Sequence, residues 1–185
     1  MIDEAGQIDE SQLVSILTRA GVDVTAWGVG RAKTVGHLLA ELRDFDCELI
    51  GDEEGLVRRV RNVWVDVFAT VAHRRYHLIE QRQDFVDGRS RERDLPASLG
   101  EKCKIGEDPL NAARRGVIEE LGIVTNFELR DGERRENPSG ETSYPGLRTK
   151  YETYWYVVDL DSRAFNADGY VEHQEDKVTS FVWES

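Results

Sequence analysis

Apolar residues recur along this chain with two different periods, and the change of period divides it. Over residues 1–56 the spacing is helical: Leu13, Ile16, Leu17 and Ala20 fall at i, i+3, i+4 and i+7. Asp9, with Gln12 three residues on, reads as the cap of that helix and Gly21 as its stop. A second stripe of Val35, Leu38, Leu39 and Leu42 follows Thr34, with Trp27-Gly28-Val29-Gly30 as the connecting turn. From Val57 the period becomes two. Val63, Val65, Val67, Ala69 and Val71 point one way while Trp64, Asp66, Phe68 and Thr70 alternate with them, which predicts a long strand.

A second strand is expected over residues 76–83, then a turn at Asp87-Gly88 and the charged run 89–94. One further helix is well signalled. Asp108 can cap it, Pro109 suits its first turn, Leu110, Ala113, Val117 and Leu121 make a stripe, and Gly122 closes it. Residues 130–142, rich in Gly, Arg and Glu, read as an exposed loop, 149–160 as an aromatic strand and 178–183 as a short last strand. Strands and helices interspersed in this way predict an α/β or α+β layer fold, with a helical extension over 1–56 and a second domain over 57–185.

Composition narrows the function. The chain has 185 residues, 32% of them charged, and a formal net charge of −12. That sign disfavours binding to a nucleic-acid duplex or an anionic membrane surface, which needs clustered Lys and Arg. Cys47 and Cys103 stand far apart with no C-x-x-C, so neither a disulfide framework nor a zinc ribbon is expected. The acidic N-terminus lacks a basic and then apolar leader, and no run of 18 apolar residues occurs, which leads us to expect a soluble cytoplasmic protein. The segment 28–34 ends in Lys-Thr like a phosphate loop, yet it lacks the Gly before Lys and a preceding apolar strand.

The chemistry concentrates in residues 106–123. On a helix, positions 112, 116, 119 and 120 share a flank away from the stripe of Leu110, Val117 and Leu121, so Glu119 and Glu120 sit side by side. With Glu107 arriving from the preceding loop they make an oxygen-rich site suited to Mg²⁺ or Mn²⁺. Arg115, four residues before Glu119, can pair with it.

These residues resemble the signature of the Nudix hydrolase family, G-x5-E-x7-R-E-U-x-E-E-x-G-U with U bulky and aliphatic. Glu107, Arg115, Val117, Glu119, Glu120, Gly122 and Ile123 match it at their spacing. Two positions depart: Gly116 stands where the family has Glu after Arg, and Gly100 comes one residue early because Glu101 holds the place of the leading Gly. The resemblance covers residues 57–185 and implies a Nudix-like α/β/α sandwich with a mixed sheet and metal-dependent hydrolysis of a nucleoside diphosphate linked to another moiety. It implies metal ligands Glu107, Glu119 and Glu120, catalytic Glu119 and Glu120, and a loop acid before the last strand, Glu172 or Glu175, as base. Glu101 is a candidate for the carboxylate lost at Gly116. The alternative is a weak or inactive Nudix-fold module that binds a nucleotide as sensor or interaction partner.

For a small-molecule nucleotide, Tyr144 can offer its ring to a base, and Arg148 and Lys150 can meet phosphate. The two N-terminal stripes need a cover, so residues 1–56 are also a candidate docking or homodimer surface.

Overall fold

The computed structural model describes residues 8–124, 127–138 and 143–185, with 131–138 described by backbone alone. In chain order the elements are α1 (Glu10–Arg19), α2 (Val35–Arg43), β1 (Glu48–Asp52), β2 (Gly55–Val71), β3 (Arg74–Phe85), β4 (Ser90–Arg91), β5 (Leu99–Lys102), α3 (Pro109–Leu121), β6 (Leu129–Pro138), β7 (Arg148–Leu160), β8 (Tyr170–His173) and β9 (Lys177–Glu184). The class is α/β. The strands pair in the order β6-β7-β2-β3-β9-β8, with β1 and β5 on β2 and β4 on β3. The pairs β1/β2, β2/β3, β3/β4, β3/β9 and β8/β9 are antiparallel.

The chain forms two compact units: Met1–Arg61, Lys102–Glu107 and Arg135–Thr153 make the first, and Asn62–Glu101, Asp108–Arg134 and Tyr154–Ser185 the second. In the first unit both N-terminal helices start on the expected residues. The Asp9 carboxylate accepts from the Gln12 N–H at 2.8 Å and the Gln12 side chain accepts from the Asp9 N–H at 2.8 Å, a reciprocal cap. Thr34 and His37 repeat the arrangement on α2.

The stripes of these helices are covered by their own unit. Leu13, Leu17, Leu38, Leu39 and Leu42 form one core with Trp27, Leu49, Val60, Tyr144 and Leu147. That removes the need for a second copy to cover residues 1–56, because chain-distant residues of the same unit already bury those faces.

Two expectations give way. Residues 48–52, inside the stretch expected to be helical, form β1, whose hairpin with β2 closes at Asp52 opposite Gly55, a residue with φ +112 that suits glycine. Residues 130–138, expected as loop, belong to β6, which pairs with β7. Sheet pairing uses main-chain N–H and C=O groups that every sequence carries, so a strand of charged residues leaves no apolar signature. Residues 139–142 lie outside the described residues.

The second unit follows the alternation. Val63, Val65, Val67 and Ala69 of β2 are buried, as are Leu78 of β3, Leu99, Ala112, Ala113, Val117, Val158 and Phe181. The Ser98 hydroxyl accepts from the Val67 N–H at 2.8 Å and donates to the Leu78 carbonyl at 2.5 Å, which ties β2 to β3 inside the core. Cys47 and Cys103 are both buried. Among the described residues no helix is long and apolar enough to cross a membrane.

Candidate functional site

Helix α3 carries the motif, and its ends are set by local chemistry. The Asp108 carboxylate accepts from the Leu110 N–H at 2.8 Å, Pro109 occupies the first turn, and Gly122 turns left-handed with its N–H donated to the Ile118 carbonyl at 2.9 Å. Its buried residues are Ala112, Ala113, Gly116, Val117 and Leu121, while Leu110 is exposed.

The flank expected to face away from the core is therefore split. Ala112 and Gly116 are buried and only Glu119 and Glu120 reach the surface, because β5 lies against the helix at Gly116. A Cβ added to Gly116 would stand 3.2 Å from Glu101 Cβ and 3.2 Å from Leu99 Cδ1. The space that a Glu after Arg115 would use is filled from the neighbouring strand by another Glu.

Within the second unit a cleft of about 190 Å³ opens beside this end of α3. Its carboxylates come from three elements: Glu119 and Glu120 of α3, Glu101 of β5 and Glu172 of β8. Arg93 and Lys177 are its cations, and Gln83, Gln174 and Gly100 complete the lining.

Each acid is held differently. Arg115 Nη1 stands between Glu101 Oε1 at 3.3 Å and Glu119 Oε2 at 3.4 Å, the second of these the expected i,i+4 pair. Glu172 Oε1 accepts from Gln174 Nε2 at 2.6 Å. Glu120, half-buried, makes no hydrogen bond or ion pair among the described residues. Burial, and then the charges of Glu172, Glu101 and Glu80, push its carboxyl up to about 8, with Arg93 pulling the other way.

The remaining cleft polarity rests on a buried pair. Glu80 is 5% exposed and is bound in a fork by Arg93 through Nε, at 2.6 Å, and Nη2. Sequence reasoning missed Glu80, Arg93, Gln83 and Lys177. The available signal was Glu80 in phase with Leu78 on the inward face of β3, since a charge on a buried strand face demands a partner.

Other expected site residues have other company. Glu107 belongs to the first unit and does not line the cleft; its carboxylate accepts from the Lys104 N–H at 2.8 Å and its carbonyl from Arg61 at 3.1 Å. Arg148 grips Asp52 at 2.7 and 3.1 Å and reaches Glu54, and Lys150 reaches Asp52 at 2.6 Å, all within the first unit. Tyr144 does not offer its ring to a base. It is fully buried, with Trp27 tilted against it at 5.0 Å and the Arg58 guanidinium 5.2 Å from its centroid. Lys33 and Thr34, the end of the phosphate-loop-like segment, pair with Glu41 and cap α2. Glu175 does not line the cleft.

A hard divalent cation suits the donor chemistry of this cleft, since all its acids are carboxylates and Glu120 has no counter-charge of its own. Among the described residues no three His, Cys, Asp or Glu side chains are gathered as a ready-made ligand set.

No family model matches the chain, and no curated protein does. Solved structures similar to it include NUDIX proteins. A Caenorhabditis elegans Ap4A hydrolase is 14% identical, with 67% of this chain and 78% of that chain covered at a TM-score of 0.38. A protein of Listeria monocytogenes assigned as a NUDIX hydrolase is 17% identical, with 67% and 76% covered at 0.44. The NUDIX domain of Shewanella oneidensis NrtR, in complex with ADP ribose, is 12% identical, with 68% and 71% covered at 0.38.

Proposed function

We propose that this chain is a Nudix-type, metal-dependent hydrolase of a nucleoside diphosphate linked to another moiety, working in the cleft at the end of α3. The observation that carries the reading is Glu120: a half-buried carboxyl, without an ion pair among the described residues, in a cleft that three other glutamates line. Such crowding is costly, and it is offset when a multivalent cation or a proton is shared among the acids.

Glu119, Glu120 and Glu101 would hold Mg²⁺ or Mn²⁺, which when bound neutralises diphosphate charge and lowers the pKa of water. Glu101 enters this set because its stem packs against Gly116, on the same helix as Glu119 and Glu120, and it lines the same cleft. Arg115, bound to both Glu101 and Glu119, keeps those two side chains turned toward each other. Glu172, on a short strand and hydrogen-bonded by Gln174, would take the proton from an attacking water in the same cleft.

The rival reading, a nucleotide-binding module without turnover, draws on the absence of a preformed ligand set among the described residues. One experiment separates them. ADP-ribose and diadenosine tetraphosphate are incubated with wild type and with Glu120→Gln, with and without Mn²⁺, while Mn²⁺ affinity is measured by calorimetry. The hydrolase reading expects metal-dependent product that falls at least about 100-fold in Glu120→Gln, with weaker Mn²⁺ binding and an unchanged fold. Nucleotide binding without product favours the module. A wild type that binds neither Mn²⁺ nor nucleotide overturns both.

A further inference from the structure

Resting on that reading, the geometry points to Lys177 as the residue that contacts the substrate's phosphate in this cleft. An anion entering a cavity lined by Glu101, Glu119, Glu120 and Glu172 meets repulsion from each of them that is ionised. A bound cation offsets part of it, and a diphosphate has a second phosphoryl group that needs its own counter-charge.

Two side chains of the lining are cationic, and they differ. Arg93 is committed: its guanidinium forks onto the buried Glu80, so turning it toward a ligand would leave a carboxylate stranded in the core. Lys177 is half-buried and makes no ion pair or hydrogen bond through its ammonium among the described residues, although four carboxylates line the same cleft. A lysine that served only to neutralise those acids would be expected to close onto one of them.

Its backbone is rigidly set. Lys177 opens β9 opposite Phe85 of β3, and its carbonyl accepts from the Gln174 N–H at 2.9 Å, which closes the turn from β8. The same turn carries Gln174 beside Glu172, so the proposed proton acceptor and the proposed phosphate contact are held by one hairpin. A compact ammonium on a four-carbon stem suits a phosphoryl oxygen whose position shifts as a bond breaks, and needs no planar fork.

The test is calorimetric titration of ADP into the full-length, Mn²⁺-saturated protein, for wild type, Lys177→Gln and Lys177→Arg. A charge-assisted contact of this kind predicts an ADP affinity lowered about tenfold in Lys177→Gln and largely recovered in Lys177→Arg. Mn²⁺ affinity should hold or tighten in Lys177→Gln, because a positive charge has left an acidic cleft. Equal ADP affinity in Lys177→Gln and a wild type that binds and hydrolyses would overturn this inference and leave the hydrolase reading standing. A joint fall of ADP affinity, Mn²⁺ affinity and melting midpoint would mark Lys177 as structural and overturn it too. A wild type that binds no ADP in the presence of Mn²⁺ overturns this inference, while product from ADP-ribose or diadenosine tetraphosphate separately decides the hydrolase reading.

Discussion

At Gly116 one missing side chain changes what the motif means. Glycine inside a helix costs roughly 0.8–1 kcal/mol against alanine, so an exposed Gly116 would be improved by Glu. The residue is buried, however, and the Cβ of any replacement would press on Glu101 and Leu99 at 3.2 Å. Gly116→Glu, which restores the family pattern, is therefore expected to lower stability by about 1–3 kcal/mol, the usual penalty of overpacking, and to push Glu101 out of the cleft. Thermal melting together with Mn²⁺ titration checks both halves. A more stable Gly116→Glu with tighter metal binding would show that the strand gives way easily and that Glu101 is dispensable. The side chains make the contrast concrete, since Glu101 is 24% exposed and Glu119 57%.

Among the elements, β5 and β8, of four residues each, are the shortest that bring residues to the cleft, and the placement of β8 depends on the turn before it. Gly169 adopts φ +79, and a Cβ there would stand 2.0 Å from the Phe181 carbonyl oxygen of β9. Backbone cannot swing aside as a side chain can, so Gly169→Ala must push β8 from β9. The combined cost of a left-handed non-glycine residue and the clash is about 3 kcal/mol. The expected result is a lower melting midpoint and a loss of turnover larger than the loss of Mn²⁺ affinity, because Glu172 rides on β8 while Glu119 and Glu120 ride on α3. Kinetics and calorimetry on the same preparation would show it. Equal losses in both would mean that the hairpin does not position Glu172 independently.

For the molecule as a whole, the first unit is tied across distant stretches of chain by one buried carboxylate. Glu41 of α2 is 7% exposed and receives Arg58 of β2 at 3.1 and 2.6 Å, Lys33 at 2.6 Å and Lys102 at 3.4 Å. Burial alone would raise its pKa; the Lys33 hydrogen bond and the charges of Arg58 and Lys102 outweigh that and hold it at about 2, against an ordinary 4.5. In the unfolded chain Glu41 takes up its proton near pH 4.5, earlier than in the fold, so its stabilisation is full above that pH and is lost as pH falls toward about 2. Glu41→Gln is expected to cost about 3–5 kcal/mol near neutrality, since Arg58 stays buried without its partner, and to flatten the acid limb of stability over that window. Melting midpoints across pH for the two proteins test this. An unchanged slope would assign the acid sensitivity to other carboxylates.

Much of this protein was legible along the chain. Asp9 with Gln12, Thr34, and Asp108-Pro109 with Gly122 mark helix ends because capping is a matter of a few neighbouring residues. The alternation of Val63, Val65, Val67 and Ala69 marks β2 because one face of a strand must meet the core. The motif placed Glu119 and Glu120 together because a helix fixes the spacing of its own side chains. Only the tertiary structure could decide the rest, because it joins residues that no local spacing relates. It set Glu101 over Gly116, bound Arg93 to Glu80, brought Glu172 and Lys177 to the cleft, and buried Tyr144 against Arg58. Charge and aromaticity say that a residue can bind; whether it faces a ligand or a partner within the fold depends on which chain-distant atoms packing puts beside it.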